Sequence, residues 1–220
     1  MHRQKAAEAK KSDAGQTLGE DENMKQYVVT ISRQFGSLGR IIAQQMSREL
    51  GVNFYDRDIV EETASRMGLP VSVISDTEEN SKSIYFKQQY PLGMGITSMR
   101  DEIFLIQKNI IRDLAQKESC IIVGRCADSI LMDMENHLNV YIYAPVEARM
   151  RNCTGILKMD EKTARKMIRE VDRSRELYHR RYCPEYVDPS TNKDIMLDSS
   201  RFGTEGTARI LVGLVKDMFA

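Results

Sequence analysis

The sequence predicts a single α/β domain built on a parallel sheet with helices on both faces. Short apolar runs, such as residues 27–32 and 120–123, alternate along the chain with longer segments of helical periodicity. Apolar residues dominate these runs, which is typical of strands that are covered on both faces. A length of 220 residues with 41% hydrophobic residues suits one compact core.

The predicted elements follow one another with the spacing of strand–helix–strand units. Strands are expected at 27–32, 52–55, 120–123, 138–144 and 194–197. The first helix places Ile42, Met46 and Leu50 on one face and ends at Gly51. Further helices are expected over 56–67, from a capping box at Ser98, over 146–157, over 160–182 and from Thr204. In such a sheet, ligands bind at the carboxyl ends of the strands.

Two segments depart from this pattern. Residues 1–24 carry many charges and few large apolar side chains, so we expect a flexible leader in front of a folded domain at 25–220. Residues 76–96 are first polar and acidic and then aromatic, with Tyr85, Phe86 and Tyr90. This composition indicates a loop or a mobile subdomain.

Composition excludes several classes of function. Lys and Arg equal Asp and Glu at 32 each, and this neutral balance argues against a general nucleic-acid binder. No stretch approaches the roughly 20 apolar residues that span a bilayer. The four cysteines form no C-x-x-C pair, so we expect free thiols in the cytoplasm and no structural zinc site.

The loop after the first strand has the character of a phosphate-binding loop. Against the pattern G-x-x-x-x-G-K-[ST], Gly39 takes the second glycine position and Arg40 the lysine position. Gly36 and Gly39 permit close backbone approach, and a helix N-terminus presents free N–H groups to an anion. The candidate nucleotide-binding residues are Arg33, Gly36, Ser37, Leu38, Gly39, Arg40 and Ile41.

The same loop departs from the pattern in two places. Gln34 stands at the first glycine position, and Ile41 replaces the hydroxyl residue that binds Mg²⁺. The metal ligands are therefore unknown. An ordinary strand–turn–helix corner with a surface arginine remains an alternative for this loop.

Four segments together resemble the cytidylate kinase-like family: TISRQFGSLGRIIAQQMSRELGVNFYDRDIV, IIVGRCADSIL, VDRSRELYHRRY and DIMLDSSRFGTEG. In that family an S-R-x-x-G-S-x-G-R loop replaces the usual phosphate loop, so Arg40 is expected. The resemblance covers residues 27–219. It implies a P-loop NTPase-type three-layer α/β fold, with a five-stranded parallel sheet, helices on both faces and a helical lid.

The resemblance also implies a division of the site. The loop would hold the phosphates of ATP with Mg²⁺, and Gly124-Arg125 would grip the phosphate of the acceptor. Tyr55 and Asp56 would lie near the acceptor nucleoside, with Asp56 binding a sugar hydroxyl or a metal. Asp128 is a further acceptor candidate, although Cys126 and Ala127 precede it where cytidylate kinases usually have an aspartate.

The basic segment 160–193 resembles the lid. Its arginines Arg173, Arg180 and Arg181 would join Arg40 and Arg125 in catalysis, with Asp172 orienting one of them. A solvated surface helix is the alternative. The segment 76–96 would lie on the acceptor side, either covering the base or serving as a hydrophobic anchor.

The implied activity is transfer of the γ-phosphate of ATP to a nucleoside monophosphate, with CMP or dCMP expected. Two alternatives stay open: a kinase of another phosphorylated metabolite, and a nucleotide-binding regulator without turnover. The expected partner is a nucleotide or another phosphorylated small molecule, with neither nucleic acid nor membrane. The oligomeric state is left open.

Overall fold

A computed structural model describes residues 24–79 and 96–220. Five strands form one parallel sheet in the order β2-β3-β1-β4-β5. They are β1 (Val28–Arg33), β2 (Asn53–Tyr55), β3 (Cys120–Val123), β4 (His137–Tyr143) and β5 (Ile195–Asp198). The predicted five-stranded parallel sheet is confirmed.

Eight helices lie in the described part of the chain. They are α1 (Gly39–Leu50), α2 (Arg57–Met67), α3 (Val71–Glu79), α4 (Ile96–Lys117), α5 (Ala127–Ile130), α6 (Val146–Gly155), α7 (Glu161–Tyr182) and α8 (Ser199–Phe219). Capping chemistry sets several boundaries. The carboxylate of Asp160 accepts a hydrogen bond from the backbone N–H of Thr163 at the start of α7, and Gly51 ends α1 with a φ of 67°.

Alternation along β1 divides the core into two layers. Val29 and Ile31 face a cluster that includes residues of α1 and α8. Val28 faces the opposite cluster, which includes Ile110 and Ile111 of α4. Because successive side chains of a strand point to opposite faces, these two clusters place helices on both sides of the sheet. The three-layer arrangement is therefore the predicted one.

Strand register brings the functional loops together. The central strand β1 pairs with β3, where Ile31 lies opposite Val123, and with β4, where Arg33 lies opposite Ile142. The loops that follow β1 and β3 therefore leave the same edge of the sheet side by side. This edge is where parallel sheets bind ligands.

The segment around residues 76–96 differs from expectation at both ends. Helix α3 continues to Glu79 and α4 already begins at Ile96, two residues before the predicted capping box at Ser98. Residues 80–95, with the three aromatic residues noted above, lie outside the described residues. The predicted leader also falls there up to residue 23.

Two helical features were not predicted. The helix α5 follows Cys126 and has only four residues. A helix this short shows no helical periodicity in the sequence. Helix α8 begins at Ser199, earlier than expected, because the carboxylate of Asp198 accepts a hydrogen bond from the N–H of Ser200. Gly203, with φ 67° and ψ 179°, kinks this helix, and the predicted start at Thr204 marks the part after the kink.

The first and last described elements meet beside the sheet. The ring of Tyr27 stacks on the ring of Phe219, with centroids 5.1 Å apart and planes 2° from parallel. The N–H of Lys25 donates a 3.0 Å hydrogen bond to the carbonyl of Phe219. None of the helices among the described residues has the length and apolar character needed to cross a membrane.

Candidate functional site

The loop between β1 and α1 approaches its neighbours too closely for side chains at two positions. Gly36 has a φ of 79°, and a Cβ added there would lie 2.9 Å from the Sγ of Cys153. A Cβ added at Gly39 would lie 2.9 Å from the Cβ of Arg33. Both glycines predicted for the phosphate loop are therefore required by packing, and Gly36 also by its backbone conformation.

Side chains from other elements hold this loop through its carbonyl groups. Ser199 donates a 2.7 Å hydrogen bond from Oγ to the carbonyl of Ser37, and Asn152 donates from Nδ2 to the carbonyl of Gly36 at 2.9 Å. Leu38 caps α1 in the left-handed conformation, with no side-chain hydrogen bond to the helix. The first intrahelical bond runs from the N–H of Ile42 to the carbonyl of Leu38. The amides before Ile42 therefore have no acceptor within the helix, which is the arrangement that binds anions.

Asp56 gathers three arginines at the carboxyl edge of the sheet. Arg125 donates from Nη1 to its Oδ1 at 2.5 Å. Arg40 reaches Oδ2 with its Nε at 3.1 Å, and Nη2 of Arg33 lies 3.7 Å from Oδ1. Asp56 itself is 6% exposed. One buried carboxylate thus positions arginines from the phosphate loop and from the loop after β3.

The charges around Asp56 decide its protonation. Burial alone would raise the pKa of Asp56, but the positive charges of Arg125, Arg33 and Arg40 and the hydrogen bond from Arg125 together lower it. The carboxylate is therefore ionised and already surrounded by guanidinium groups. This placement argues against the predicted metal role of Asp56, because three cations occupy the positions that a metal ion would take.

The turn after β3 has an unusual backbone. Gly124, Arg125 and Cys126 have φ values of 79°, 53° and 54° in succession. A Cβ at Gly124 would collide with Nη1 of Arg33. Non-glycine residues in this region cost about 1–3 kcal/mol each and cluster at functional sites. The turn directs the side chain of Arg125 toward Asp56.

A cavity of about 280 Å³ lies between this edge of the sheet and α7. Residues that end β1 and follow β3 form one wall, and α7 with the segment after it forms the other. Four cationic side chains, Arg33, Arg125, Arg175 and Lys193, line it from both walls, together with the imidazole of His179. Three tyrosines, Tyr141, Tyr178 and Tyr186, and two carboxylates, Asp172 and Glu176, also line it. The cavity suits a small anionic ligand with an aromatic part.

Helix α7 contributes different arginines from those predicted for the lid. Arg181 pairs with Asp101 of α4 at 2.8 Å, and Arg180 pairs with Glu176 at 2.8 Å. Arg173, Arg180 and Arg181 are all exposed, and none of them lines the cavity. Arg175 lines it instead and donates to the carbonyl of Arg33 at 3.1 Å. The structure therefore does not bring the three predicted lid arginines together with Arg40 and Arg125.

Asp172 binds the phosphate loop rather than a lid arginine, which corrects the predicted role. Its Oδ1 accepts from the N–H of Phe35 at 2.7 Å, and its Oδ2 accepts from Nη1 of Arg149 at 2.5 Å. Arg149, 6% exposed, also donates to the carbonyl of Phe35. These bonds attach α7 to the loop that precedes α1.

Two predicted acceptor residues have internal partners. Asp128 is 5% exposed and lies 3.3 Å from Nε2 of His179 and 2.6 Å from Nζ of Lys193. Burial would raise the pKa of Asp128, but the hydrogen bond and charge of His179, together with Lys193, hold it well below its usual range. Tyr55 donates from its hydroxyl to Glu118 at 2.5 Å, and burial together with this bond raises its pKa to about 12. Neither residue lines the cavity.

Sequence reasoning missed several residues that line the cavity. Arg175 and His179 were not singled out, yet they recur with Asp172 at helical spacing on one face of α7, so the periodicity of the segment could have separated them from its exposed arginines. Lys193 lies in an irregular segment after α7, where no local pattern identifies it.

Comparisons with known proteins agree with this architecture. A family model described as "Cytidylate kinase-like family" matches residues 28–201. An uncharacterized protein from Eubacterium ventriosum ATCC 27560 has a solved structure that is 24% identical, with a TM-score of 0.66, covering 87% of this chain and 99% of its own. Shikimate kinase from Bacteroides thetaiotaomicron is 13% identical, with a TM-score of 0.52 and coverage of 87% and 99%. No curated protein matches the chain.

The family model spans most of the chain, from the first strand to the start of the last helix. It includes the phosphate loop, the turn after β3 and all of α7, which are the parts that form the site. A match to this family supports a kinase-type phosphotransferase. The chain belongs to the cytidylate kinase-like family.

Proposed function

We propose that this protein transfers the γ-phosphoryl group of ATP to a nucleoside monophosphate, with CMP or dCMP as the first candidates. The observation that carries the proposal is the position of Arg33. This residue begins the phosphate loop, lies against Gly124 of the second loop and lines the cavity. The donor-phosphate cradle and the cationic cavity are therefore adjacent, as transfer between two bound phosphates requires.

The loop residues fit a donor nucleotide. Gly36 and Gly39 allow backbone approach, and the uncapped start of α1 provides amides for phosphate oxygens. Arg40, with a side chain 59% exposed, extends beside them and remains accessible to a donor. Because its Nε pairs with Asp56, the two Nη groups of the guanidinium would be the ones that bind phosphate oxygens.

The cavity fits a phosphorylated acceptor. Arg125, which is bound to Asp56, lines the cavity, and Arg175 lines it from α7. Both side chains can bind phosphate oxygens in bidentate fashion. The tyrosine rings Tyr141, Tyr178 and Tyr186 offer apolar faces for a base, which supports a nucleotide rather than a bare phosphate ester.

The chemistry then requires position and charge more than covalent help. Arg40 and Arg125 would bind the donor and acceptor phosphates so that the attacking oxygen lies in line with the leaving oxygen. Arg175 would stabilise the charge on the transferring phosphoryl group. The helix α7, which carries Arg175, would help to exclude water from the cavity. Mg²⁺ that accompanies the donor nucleotide would supply further positive charge; the side chain of Ile41 has no oxygen to ligate it, so we assign it no protein ligand.

Two observations favour a second candidate, a nucleotide-binding regulator without turnover. Ile41 occupies the position of the hydroxyl that binds Mg²⁺ in standard phosphate loops, and Asp56 is surrounded by arginines. A kinase of another phosphorylated metabolite shares every feature of the first proposal except the base.

A coupled ADP-release assay tests the proposal. ATP and Mg²⁺ are offered with CMP, dCMP, UMP, AMP or no acceptor, and ATP binding is measured separately by calorimetry. Release with CMP or dCMP alone is the expected result. ATP binding without release for any of these acceptors would point to another phosphorylated acceptor or to the regulator, and release with UMP or AMP would redirect the acceptor assignment.

Variants connect the activity to the site. Arg40→Ala should weaken ATP binding and turnover, while Arg125→Ala should mainly weaken acceptor binding. Arg165→Ala is the matched control, since Arg165 is an exposed arginine of α7 that pairs with Glu161 one turn away. Unchanged kinetics in both site variants would overturn these assignments.

A further inference from the structure

A cluster of sulfur and nitrogen ligands lies outside the phosphate-binding groups, where α7 meets the turn after β3. The side chains of Cys126, His179 and Cys183 each offer one ligand atom, and these atoms all lie within 4.8 Å of one another. Cys126 and Cys183 are 0% and 5% exposed, so the thiols are shielded from solvent. Two separate parts of the fold thus direct soft donors to one point.

We propose that Cys126, His179 and Cys183 form a Cys₂His binding site for a zinc ion. Thiolate and imidazole together select zinc over the hard cations Mg²⁺ and Ca²⁺, which prefer oxygen ligands. In tetrahedral zinc sites, bonds of about 2.3 Å to sulfur and 2.0 Å to nitrogen put the donors roughly 3.5–3.8 Å apart. Donors within 4.8 Å therefore need to move inward by no more than about 1 Å.

The backbone already directs the ligands. His179 and Cys183 are four residues apart across the end of α7, and the N–H of Cys183 donates to the carbonyl of His179 at 2.8 Å. This spacing places both side chains on one face of the helix. On the other side, the left-handed turn at Arg125 and Cys126 directs the second thiol into the interior.

The imidazole has the surroundings of a metal ligand. Nδ1 of His179 lies 3.0 Å from the carbonyl of Arg175, and donating a proton there leaves Nε2 with the lone pair. A hydrogen bond from the second ring nitrogen to a carbonyl is the usual support of a zinc-binding histidine. Nε2 also lies 3.3 Å from Asp128, so zinc would replace this contact while Asp128 keeps its bond to Lys193.

The binding step is a proton exchange. Zinc forms one bond to each sulfur and one to nitrogen, and the two thiols release their protons to solvent without any change of oxidation state. The fourth ligand position is left for water or for a nearby carboxylate. The ion would join the end of α7 to the turn that carries Arg125, and so connect the two walls of the cavity.

The sequence did not lead us to expect this site, because the cysteines lack C-x-x-C spacing. The sequence feature that could have indicated the site is the H-x-x-x-C spacing of residues 179–183. This spacing brings two ligands together only when the segment is helical. The third ligand is distant in sequence and becomes a neighbour only through the packing of α7 on the turn.

Metal binding by the full-length protein tests the proposal without reference to activity. After treatment with a chelator, the protein is titrated with Zn²⁺ and separately with Co²⁺, whose bonds to thiolate give charge-transfer absorption. We expect one zinc per chain and a cobalt spectrum with thiolate bands. Cys126→Ser and Cys183→Ser should each weaken zinc binding by more than about 100-fold, since even residues that only support ligands alter affinity 10–100-fold.

The matched control is Cys153→Ser, because Cys153 is equally buried but is not part of the cluster. This variant should bind zinc like the parent protein. If a serine variant fails to fold, the thermal unfolding of the unaltered protein gives a second test, since zinc that binds the folded site should raise the Tm. Absence of stoichiometric zinc, equal binding by all variants, or an unchanged Tm with zinc would each overturn the proposal.

Discussion

Arg125 donates a 2.5 Å hydrogen bond to Asp56, and this contact joins the turn after β3 to the residue that follows β2. The two strands are neighbours in the sheet, but the two residues are far apart in sequence. Both side chains are largely buried, at 14% and 9% exposure. The contact holds an arginine at the cavity with its orientation set before any ligand arrives.

Replacing Asp56 should destabilise the fold. Asp56→Asn removes the carboxylate that pairs with Arg125 and Arg33, both mostly buried, and breaking a buried pair costs about 3–5 kcal/mol. Because neither arginine is fully buried, we expect a loss of about 2–4 kcal/mol in the free energy of unfolding, measured with urea at pH 7. Asp217→Asn, at an exposed carboxylate of α8, should change it by less than about 0.5 kcal/mol. Equal effects of the two substitutions would contradict the assigned role.

The same carboxylate should make stability depend on pH. Its pKa is lowered in the folded state, so its contribution is complete above the unfolded value, near pH 4, and is lost as pH falls through the lower folded value. The difference in unfolding free energy between the parent protein and Asp56→Asn should therefore be constant from pH 7 to about 5 and shrink below about pH 4. Urea denaturation across this range measures it. A difference that grew on acidification would show that the sign is wrong.

Arg125→Ala should impair the acceptor more than the donor. Loss of one charge-assisted hydrogen bond of about 1.5–3 kcal/mol corresponds to roughly 10- to 150-fold in kcat/KM for the acceptor. Arg125→Lys should recover only part of this, because an ammonium cannot bind phosphate in bidentate fashion. Steady-state kinetics with varied acceptor and fixed ATP provide the measurement. An equal loss with varied ATP would indicate that Arg125 acts on the donor instead.

Gly36→Ala should weaken nucleotide binding in addition to the loss of stability that its positive φ causes. The added methyl group would lie 2.9 Å from Cys153 and 3.1 Å from Arg149, so the loop would have to shift. Gly51→Ala is the matched control, since Gly51 has a similar φ of 67° but no atom within 4 Å of the added carbon. We expect Gly51→Ala to lose about 1 kcal/mol of stability and Gly36→Ala to lose more, and only Gly36→Ala to lose ATP affinity, by tenfold or more. Calorimetric ATP titration of both variants distinguishes these outcomes.

Substitutions of Arg175 and Arg181 should affect turnover differently, although both residues are arginines of α7. Arg175 lines the cavity, so Arg175→Ala should lower kcat/KM by roughly 10- to 150-fold. Arg181 pairs with Asp101 at the surface, and exposed pairs contribute little, so Arg181→Ala should leave turnover within about twofold. The reverse result would restore the lid role that the sequence predicted for Arg181. It would also imply a different arrangement of α7 when substrates bind.

The fold was more predictable than the site, for physical reasons visible in particular residues. Strands such as Cys120–Val123 are continuous apolar runs, so their own residues indicate burial on both faces of the sheet. The predicted glycines and arginines next to strand ends lie at one edge of the sheet, because parallel topology brings strand ends together, and their role in binding stays a prediction. Asp56 was placed near the site, but its three arginine partners come from loops distant in sequence, so its structural role could not be derived from spacing.

Helix α7 shows why the rest was missed. Its charged residues occur all around the helix, and composition cannot distinguish those facing a cavity from those facing solvent. Arg173 and Arg175 differ by only two positions, yet one is exposed and the other lines the cavity. The short helix α5 depends on the left-handed turn at Cys126, which no propensity favours for a cysteine.

The stacking of Tyr27 on Phe219 has a consequence for how the chain folds during its synthesis. Among the described elements, the strand at the centre of the sheet is synthesised first, and the helix that packs beside its start is synthesised last. During translation this strand has to wait for β3 and β4 to pair with it, and then for Phe219 to emerge from the ribosome. Such contacts between the two ends of a domain slow folding, because a long loop has to close before they form. The growing polypeptide would therefore expose the apolar faces and unpaired edges of its central strand until synthesis of these elements is nearly complete.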